Sequence, residues 1–225
     1  MLTNRPHNGS MADAYPIYSR AERLADGAVH VAGFIMALVG VSVLFAMWAL
    51  RMDGVTLAST IVYSAALLLM LGASAAYHLY AYTPARPFLR RLDHAAIYVK
   101  IAGTFTPLSV FLGTAFGYAV LGIVWILAIF GAASKIMTKP GQMTTGWLPY
   151  VALGWIGVAL FVPLMAVLPI SSLALMLAGG LTYTAGVIFY AWEGLRFSNA
   201  IWHAFVAAAS ACFFMGIATA LSAGL

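Results

Sequence analysis

The chain has 225 residues, of which 64% are hydrophobic and only 8% are charged, and its mean hydropathy is +0.97. A soluble domain averages about 45–50% apolar and about 25% charged residues, so this composition excludes a soluble protein and indicates a polytopic membrane protein. The net charge of +5 does not indicate nucleic-acid binding, because the basic residues lie in loops between apolar runs, where membrane insertion accounts for them. The single cysteine, Cys212, excludes a disulfide within one chain and a thiol-rich metal site.

The first residues are polar and are interrupted by Pro6 and Pro16, without the apolar core of a cleaved signal peptide. We therefore expect residues 1–21 to form a cytoplasmic tail and residues 22–225 to form one membrane domain. Glu22 and Asp26 come just before the first apolar run. Acidic side chains are favourable at the positive end of a helix dipole, which is a sufficient reason for both of them.

A membrane-spanning helix needs about 20 mostly apolar residues, and the sequence contains seven such runs. They are approximately Ala28–Leu50, Leu57–Tyr80, Asp93–Leu112, Phe116–Ala133, Leu148–Leu168, Ser172–Trp192 and Ala200–Leu221. The breaks after the third and fifth runs are short and uncharged, so the helix ends are marked least sharply there. The sequence thus predicts an all-α protein built as a bundle of seven transmembrane helices.

The basic residues indicate how this bundle is oriented. Nine of the Lys and Arg residues lie in the tail and in the loops after the second, fourth and sixth runs, which share one side of the membrane. On the other side only Arg51 lies in a loop, and Lys100 lies within the third run. Because Lys and Arg concentrate in cytoplasmic loops, we expect a cytoplasmic N-terminus and a C-terminus on the outside.

This topology brings polar residues from distant parts of the chain to the cytoplasmic side of the bilayer. His78 ends the second run, Asp93 begins the third, and His203 begins the seventh. Ser74 and His78 are one helical turn apart, as are Asn199 and His203, so each pair shares a helix face. A metal-binding imidazole is commonly held by a hydrogen bond from a neighbour, which Ser74 could supply. Asp93 could bind a cation directly or orient a water bound to it.

Each of these residues also has a simpler interpretation. Asp93 at a helix start is a good N-cap residue, and a histidine near the membrane interface is often only an interfacial polar group. His30 and His94 are interpreted as structural. Lys100 lies two turns after Asp93 on about the same face, so its side chain can extend toward the cytoplasmic side or pair with Asp93.

Several segments, taken together, carry a resemblance to a known family. They are Glu22…His30, Ser74-Ala-Ala-Tyr-His78, Arg91-Leu-Asp93-His94-Ala-Ala-Ile-Tyr98, Gly103-Thr104-Phe-Thr106-Pro107, Gly154-Trp155, Gly186-Val-Ile-Phe-Tyr190 and Ala200-Ile-Trp-His203-Ala-Phe-Val206. From Glu22 onward the chain resembles the hemolysin III family of bacterial membrane proteins, which is grouped with the progestin and adiponectin receptors and the alkaline ceramidases. The resemblance implies seven helices, an inside N-terminus, a location in the bacterial cytoplasmic membrane, and a zinc site near the cytoplasmic face.

The resemblance also implies which residues form that zinc site. His78 corresponds to the first ligand and His203 to the last. Asp93 corresponds to the carboxylate that holds the zinc-bound water, with Ser74 as its neighbour, so both are candidate catalytic residues. Asn199 stands where the family has another histidine ligand, and an amide oxygen is a poor zinc ligand beside imidazole.

Because of Asn199, three outcomes remain open for the site. Zinc is held by His78, His203 and Asp93 with water as the fourth group, a different or more weakly held cation binds, or the polar cluster is purely structural. Three functions are considered: a metal-dependent hydrolase of lipid amides or esters, a non-enzymatic receptor or sensor that regulates membrane lipid state and energetics, and a pore. A pore is the least supported, because the sequence shows no ladder of polar groups between Lys100 and the outer face. The expected partners are membrane lipids; the sequence identifies no protein partner.

Overall fold

A computed structural model describes residues 18–139, 142, 146–192 and 194–224. All regular structure in these ranges is helical. The helices are α1 (Arg20–Trp48), α2 (Gly54–Leu79), α3 (Arg86–Leu112), α4 (Ala115–Met137), α5 (Leu148–Trp155), α6 (Val158–Leu164), α7 (Ile170–Ala191) and α8 (Ser198–Ser222), with a short 3₁₀ turn at Ala49–Arg51 after α1. The prediction of an all-α protein is confirmed for this part of the chain.

Six of these helices, α1 to α4, α7 and α8, are long and apolar enough to cross a bilayer. Where the sequence predicted one span over Leu148–Leu168, the structure has the two short helices α5 and α6, which together cover Leu148–Leu164. The break includes Gly157, where a Cβ atom would lie 3.3 Å from the ring of Phe105 on α3. The count of seven spans and the sidedness of the termini stay predictions.

Polar side chains cap the starts of α1, α2 and α4, with Ser19 in this role at α1. The carboxylate of Asp53 accepts hydrogen bonds from the backbone N–H groups of Val55 and Thr56 at the start of α2, and the Thr114 hydroxyl accepts one from the Gly117 N–H at the start of α4. The hydrogen bonds from Thr56 and then Val55 hold the pKa of Asp53 below its usual range, because they stabilise the ionised carboxylate.

The third helix starts earlier than the sequence indicated. It begins at Arg86, with Pro87 in its first turn, where proline is tolerated because the first N–H groups of a helix have no intrahelical partner. Asp93 therefore lies two turns inside α3 and is not its N-cap, so the capping interpretation of this aspartate is wrong.

Helix α3 is the central helix of the bundle. In the apolar 18-residue window of α3, 72% of the residues are buried, against 22–50% for the other membrane-length helices. It packs against α2 and α4, while α1 packs against α2 and α8, and α7 pairs with α8. A Cβ on Gly103 would lie 2.5 Å from the Ala66 side chain, so glycine allows the close approach of α3 to α2. This packing places the start of α1, the end of α2 and the start of α8 side by side.

The interior of the bundle is more polar than the sequence indicated. Lys100 neither extends to the cytoplasmic side nor pairs with Asp93 among the described residues; its Nζ lies 4.3 Å and 5.1 Å from the ring centroids of Tyr183 and Phe213. Between Lys100 and the opposite end of the bundle, buried hydroxyls occur on three helices: Thr56, Ser59, Thr60, Tyr63 and Ser64 on α2, Ser109 on α3, and Ser172 on α7. The absence of a polar ladder lining a path to the outer face stays a prediction, since these hydroxyls are buried, and Ser59 and Thr60 donate to the Thr56 carbonyl of their own helix.

Candidate metal centre

A cluster of ionisable side chains forms where α1 begins, α2 ends and α8 begins. Asp26 and His30 lie one turn apart on α1, His78 is the next-to-last residue of α2, and His203 lies in the second turn of α8. Each of these four residues offers one nitrogen or oxygen atom that could bind a metal, and any two of these four atoms lie within 4.8 Å of each other. Three segments that are far apart in sequence therefore supply one compact set of donor atoms.

The carboxylate of Asp26 lies at the centre of this cluster. Its Oδ1 accepts a hydrogen bond of 2.7 Å from Nδ1 of His203. Its Oδ2 accepts one of 3.1 Å from the side-chain amide of Asn199 and lies 3.1 Å from Nδ1 of His78. A single buried carboxylate thus joins α1 to both α2 and α8.

The three imidazole rings surround that carboxylate closely. The ring centroids of His30 and His78 are 4.8 Å apart and the rings are stacked, while His203 lies 4.2 Å from His30 and 4.4 Å from His78. Nε2 of His30 is buried without a hydrogen-bond partner among the described residues, and its distance of 3.7 Å from Oδ1 of Asp26 is too long for a hydrogen bond. An unsatisfied buried polar atom costs about 1–3 kcal/mol, which a bound cation would offset.

The chemistry of the donors suits a divalent transition metal. Zinc takes imidazole nitrogen and carboxylate oxygen in tetrahedral sites, and these are the donors that Asp26, His30, His78 and His203 offer. The ring nitrogen Nε2 of His30 supports this fit. It is buried without a hydrogen-bond partner among the described residues, and a bound ion would give it one. Within the described residues, then, the chain has a site whose donors fit zinc.

Of the residues predicted as ligands, the structure brings two together and leaves one apart. His78 and His203, separated by most of the sequence, have ring centroids 4.4 Å apart. Asp93 is not in the group of four donors; it is buried in α3, with Oδ2 at 3.6 Å from Nδ1 of His94. Its assignments as a ligand and as a water-holding carboxylate stay predictions.

The two other residues in the predicted site lie next to the cluster. Ser74 is buried on α2 and lines a small cavity of about 10 Å³ together with His30 and His203. The side-chain amide of Asn199 lies 3.2 Å from Nδ1 of His78 and also donates to Asp26. Asn199 therefore holds two of the donor residues through hydrogen bonds.

Sequence reasoning missed Asp26 and His30. It assigned the aspartate to the helix dipole, because the first span was predicted to begin only at Ala28, and it assigned the histidine, which lies inside that span, to structure. In fact α1 begins at Arg20, which places Asp26 well inside the helix. The signal was present: Asp26 and His30 have the same one-turn spacing as Asn199 and His203, at the same end of a helix on the same side of the bundle.

A second, more polar cavity connects the cluster with the surface. It has a volume of about 30 Å³ and is lined by Asp26, His78 and Asn199 on one side and by Tyr18 and Glu22, among others, on the other. A cavity needs about 10–15 Å³ to hold one water molecule, so water can reach the donors. Burial, reinforced by the charge of Asp26, raises the pKa of Tyr18 to about 12, so its hydroxyl stays protonated near neutral pH.

Comparisons with known proteins show similarity over most of the chain. The family model described as "Haemolysin-III related" matches residues 19–214. The chain is 32% identical over 200 residues to the protein named "Hemolysin-3 homolog" of Bacillus subtilis (strain 168), covering 88% of this chain and 93% of that protein. It is 33% identical over 194 residues to "Hemolysin-3" of Bacillus cereus, covering 86% and 89%.

Proposed function

Because the chain belongs to the haemolysin-III-related family and is an integral membrane protein with several spans, we propose that it is a zinc-dependent hydrolase of amide or ester bonds in membrane lipids. The observation that carries this proposal is the group of four donor atoms within 4.8 Å of one another, one of them a buried ring nitrogen without a partner. The Bacillus relatives support a location in a bacterial cytoplasmic membrane, with the cluster on the cytoplasmic side.

Asp26, His78 and His203 would hold the metal, and His30 offers a fourth donor atom, the third ring nitrogen of the group. Asn199 stands where the family resemblance implies a histidine ligand, and its amide is a weak substitute for imidazole. The carboxylate of Asp26 supplies a donor in place of that histidine, and Asn199 donates a hydrogen bond of 3.1 Å to it. In this chain, therefore, the asparagine orients a ligand and the aspartate of α1 replaces one.

The position of the cluster favours a lipid substrate. It lies at the ends of three membrane-length helices, which in a bilayer would be the zone where the headgroup region meets the hydrocarbon core. The ester and amide bonds of membrane lipids lie in this zone. The cavity beside Glu22 admits water, while the small cavity beside Ser74 is lined largely by apolar side chains such as Met70 and Val206. The donors thus lie between an aqueous approach and an apolar one.

When bound, zinc supplies Lewis acidity and makes hydroxide available near neutral pH. The protein supplies the rest. Asn199 and His203 hold Asp26 in one orientation, and burial of the cluster limits bulk water to the cavities. Asp93, on the neighbouring α3, is proposed as the proton acceptor, and the Ser74 hydroxyl is proposed to orient the substrate carbonyl.

Elemental analysis of the purified protein in lipid nanodiscs tests the metal site. We expect about one zinc per chain in the wild type and strong loss of zinc in His78→Ala and Asp26→Asn. His94→Ala is the matched control, since this histidine is also mostly buried but lies inside α3 and outside the four-donor group; it should retain the metal. Equal zinc in all variants would show that the ligands are assigned wrongly.

Incubation of the same preparations with ceramides and phospholipids, followed by mass spectrometry of the lipids, tests the hydrolysis. Release of fatty acid that is lost in His78→Ala and retained in the control His94→Ala supports the enzyme. Stoichiometric zinc without any hydrolysis would refute the proposed enzymatic activity. The function would then be that of a zinc-stabilised sensor, with the three helices joined by Asp26 as its responsive element.

A further inference from the structure

Glu22, one turn before Asp26 on α1, makes two separate sets of contacts. In the first, its Oε2 accepts a hydrogen bond of 2.9 Å from the backbone N–H of Ser19. The Ser19 hydroxyl in turn accepts one of 3.3 Å from the N–H of Glu22, and the two bonds form a capping box at the start of α1. In the second, its Oε1 accepts the backbone N–H of Phe197 at 3.1 Å, a residue 175 positions away. One carboxylate therefore connects the start of α1 to the residue that precedes α8.

Phe197 has an unusual backbone conformation. Its φ of +62° makes it the single non-glycine residue with a positive φ in the described part of the chain. Only a few per cent of non-glycine residues adopt this region, and bulky side chains are disfavoured there. Such conformations persist where the surrounding structure holds them in place. The hydrogen bond to Glu22 is a contact from another helix that does so.

The same contact brings a carboxylate to the start of α8, which has no side-chain cap. Phe197 is the N-cap residue of α8, and its ring has no oxygen that could accept a hydrogen bond from the first turn. A carboxylate is favourable near the positive end of a helix, and Glu22 supplies it from α1. The Ile201 N–H then bonds to the Phe197 carbonyl at 2.9 Å, so the direction in which α8 starts depends on the conformation of Phe197.

The start of α8 carries the residues that reach Asp26. Asn199 and His203 lie in its first two turns, and both donate to the Asp26 carboxylate, at 3.1 Å and 2.7 Å. We infer that Glu22 is a positioning residue of the metal centre. By holding Phe197 in the left-handed conformation, Glu22 fixes the position of the start of α8 relative to α1. This role rests on the proposed zinc site. Glu22 itself is not in the group of donor atoms.

Zinc affinity of three single variants, measured by competition with a chelator in nanodiscs, tests this role. Glu22→Ala should weaken zinc binding by about tenfold, the lower end of what loss of a direct partner of a ligand costs, because Glu22 acts on the ligands only through Phe197 and α8. Glu22→Gln keeps an acceptor oxygen for Phe197 and should stay close to the wild type. Ser19→Ala removes the serine side of the capping box but leaves the Phe197 contact, so it should bind zinc as the wild type does. Equal losses in Ser19→Ala and Glu22→Ala would overturn the inference.

A glycine at position 197 provides the sharper test, because glycine adopts a positive φ without steric cost. In the Glu22→Ala background, Phe197→Gly should recover a substantial part of the lost zinc affinity. If Glu22 acted only on the start of α1, Phe197→Gly would not change the zinc affinity of the Glu22→Ala variant. No recovery in the double variant would refute the route through Phe197.

Hydrogen–deuterium exchange of the metal-free proteins separates this inference from the proposed function. We expect faster exchange of the backbone amides from Phe197 to Ile201 in Glu22→Ala, but not in Ser19→Ala or Glu22→Gln. If the wild type bound no zinc, the proposed function would fail, and the exchange difference would still decide whether Glu22 holds the start of α8. Unchanged exchange in Glu22→Ala would overturn the positioning role.

Discussion

Replacing Asp26 by asparagine tests the central feature of the metal centre. The substitution keeps the shape of the side chain and removes its charge. In the wild type the carboxylate accepts hydrogen bonds at 2.7 Å from His203 and 3.1 Å from Asn199, and it lies 3.1 Å from His78. An asparagine oxygen can accept from one of these groups, but the amide nitrogen then turns a donor toward the others.

The magnitude follows from these contacts. A hydrogen bond to a charged group contributes about 1.5–3 kcal/mol, and a buried donor left without a partner costs about 1–3 kcal/mol. Removing the carboxylate spares its own desolvation, which offsets part of the loss. We therefore expect the metal-free Asp26→Asn variant to be destabilised by about 3 kcal/mol. Zinc affinity should fall by more than the 10- to 100-fold that loss of an outer partner of a ligand typically costs, because an anionic donor is removed.

Two assays separate these effects. Thermal denaturation in the presence of a strong chelator reports the metal-free stability, and chelator competition at neutral pH reports the zinc affinity. Asp93→Asn is the matched control, because Asp93 is also a buried aspartate but lies outside the four-donor group. If Asp26→Asn bound zinc as tightly as the wild type while Asp93→Asn did not, the four-donor site would be refuted and the original assignment of Asp93 as a ligand would be supported.

Three further predictions concern single positions. Asn199→His should raise zinc affinity about tenfold or more, which corresponds to at least about 1.4 kcal/mol. The reason is that the substitution places an imidazole beside the other donors. Chelator competition measures the zinc affinity. Gly131→Ala should destabilise the protein by about 1–3 kcal/mol, because its Cβ would overlap the ring of Tyr98 on α3. Gly122→Ala is the control: a Cβ there would meet nothing within 4 Å, so the melting temperature in thermal denaturation should not change. Asp53→Asn should lower the melting temperature near neutral pH. Because the folded-state pKa of Asp53 is lowered by hydrogen bonds from Thr56, the stability that its charge contributes is complete above about pH 4 and disappears as the pH falls further.

Each of these predictions has a clear contrary result. Weaker zinc binding in Asn199→His would mean that the asparagine is needed to orient Asp26 more than another imidazole is needed as a ligand. Equal melting temperatures for Gly131→Ala and Gly122→Ala would contradict the close packing of α3 against α4. A melting-temperature difference for Asp53→Asn that persisted at low pH would show that the charge of Asp53 is not its cause.

Much of the fold could be predicted from single residues and their spacing. Composition alone indicated a helical membrane protein, because 64% hydrophobic and 8% charged residues leave a bundle of apolar helices as the structure that satisfies the backbone in lipid. The layer that contains His78 and His203 could also be predicted, since helix count and loop charge place the end of one run beside the start of another. These properties depend on length and composition along the chain, which the sequence states directly.

Other features depended on how the helices pack. The break between α5 and α6, the aromatic contacts of Lys100 and the position of Asp93 inside α3 follow from contacts between helices that have no fixed spacing in the sequence. The same is true of the metal centre: whether Asp26 or Asp93 faces His78 and His203 is decided by the rotation of α1 and α3 about their axes. Close packing sets that rotation, and it is a property of facing surfaces that no single run of residues contains.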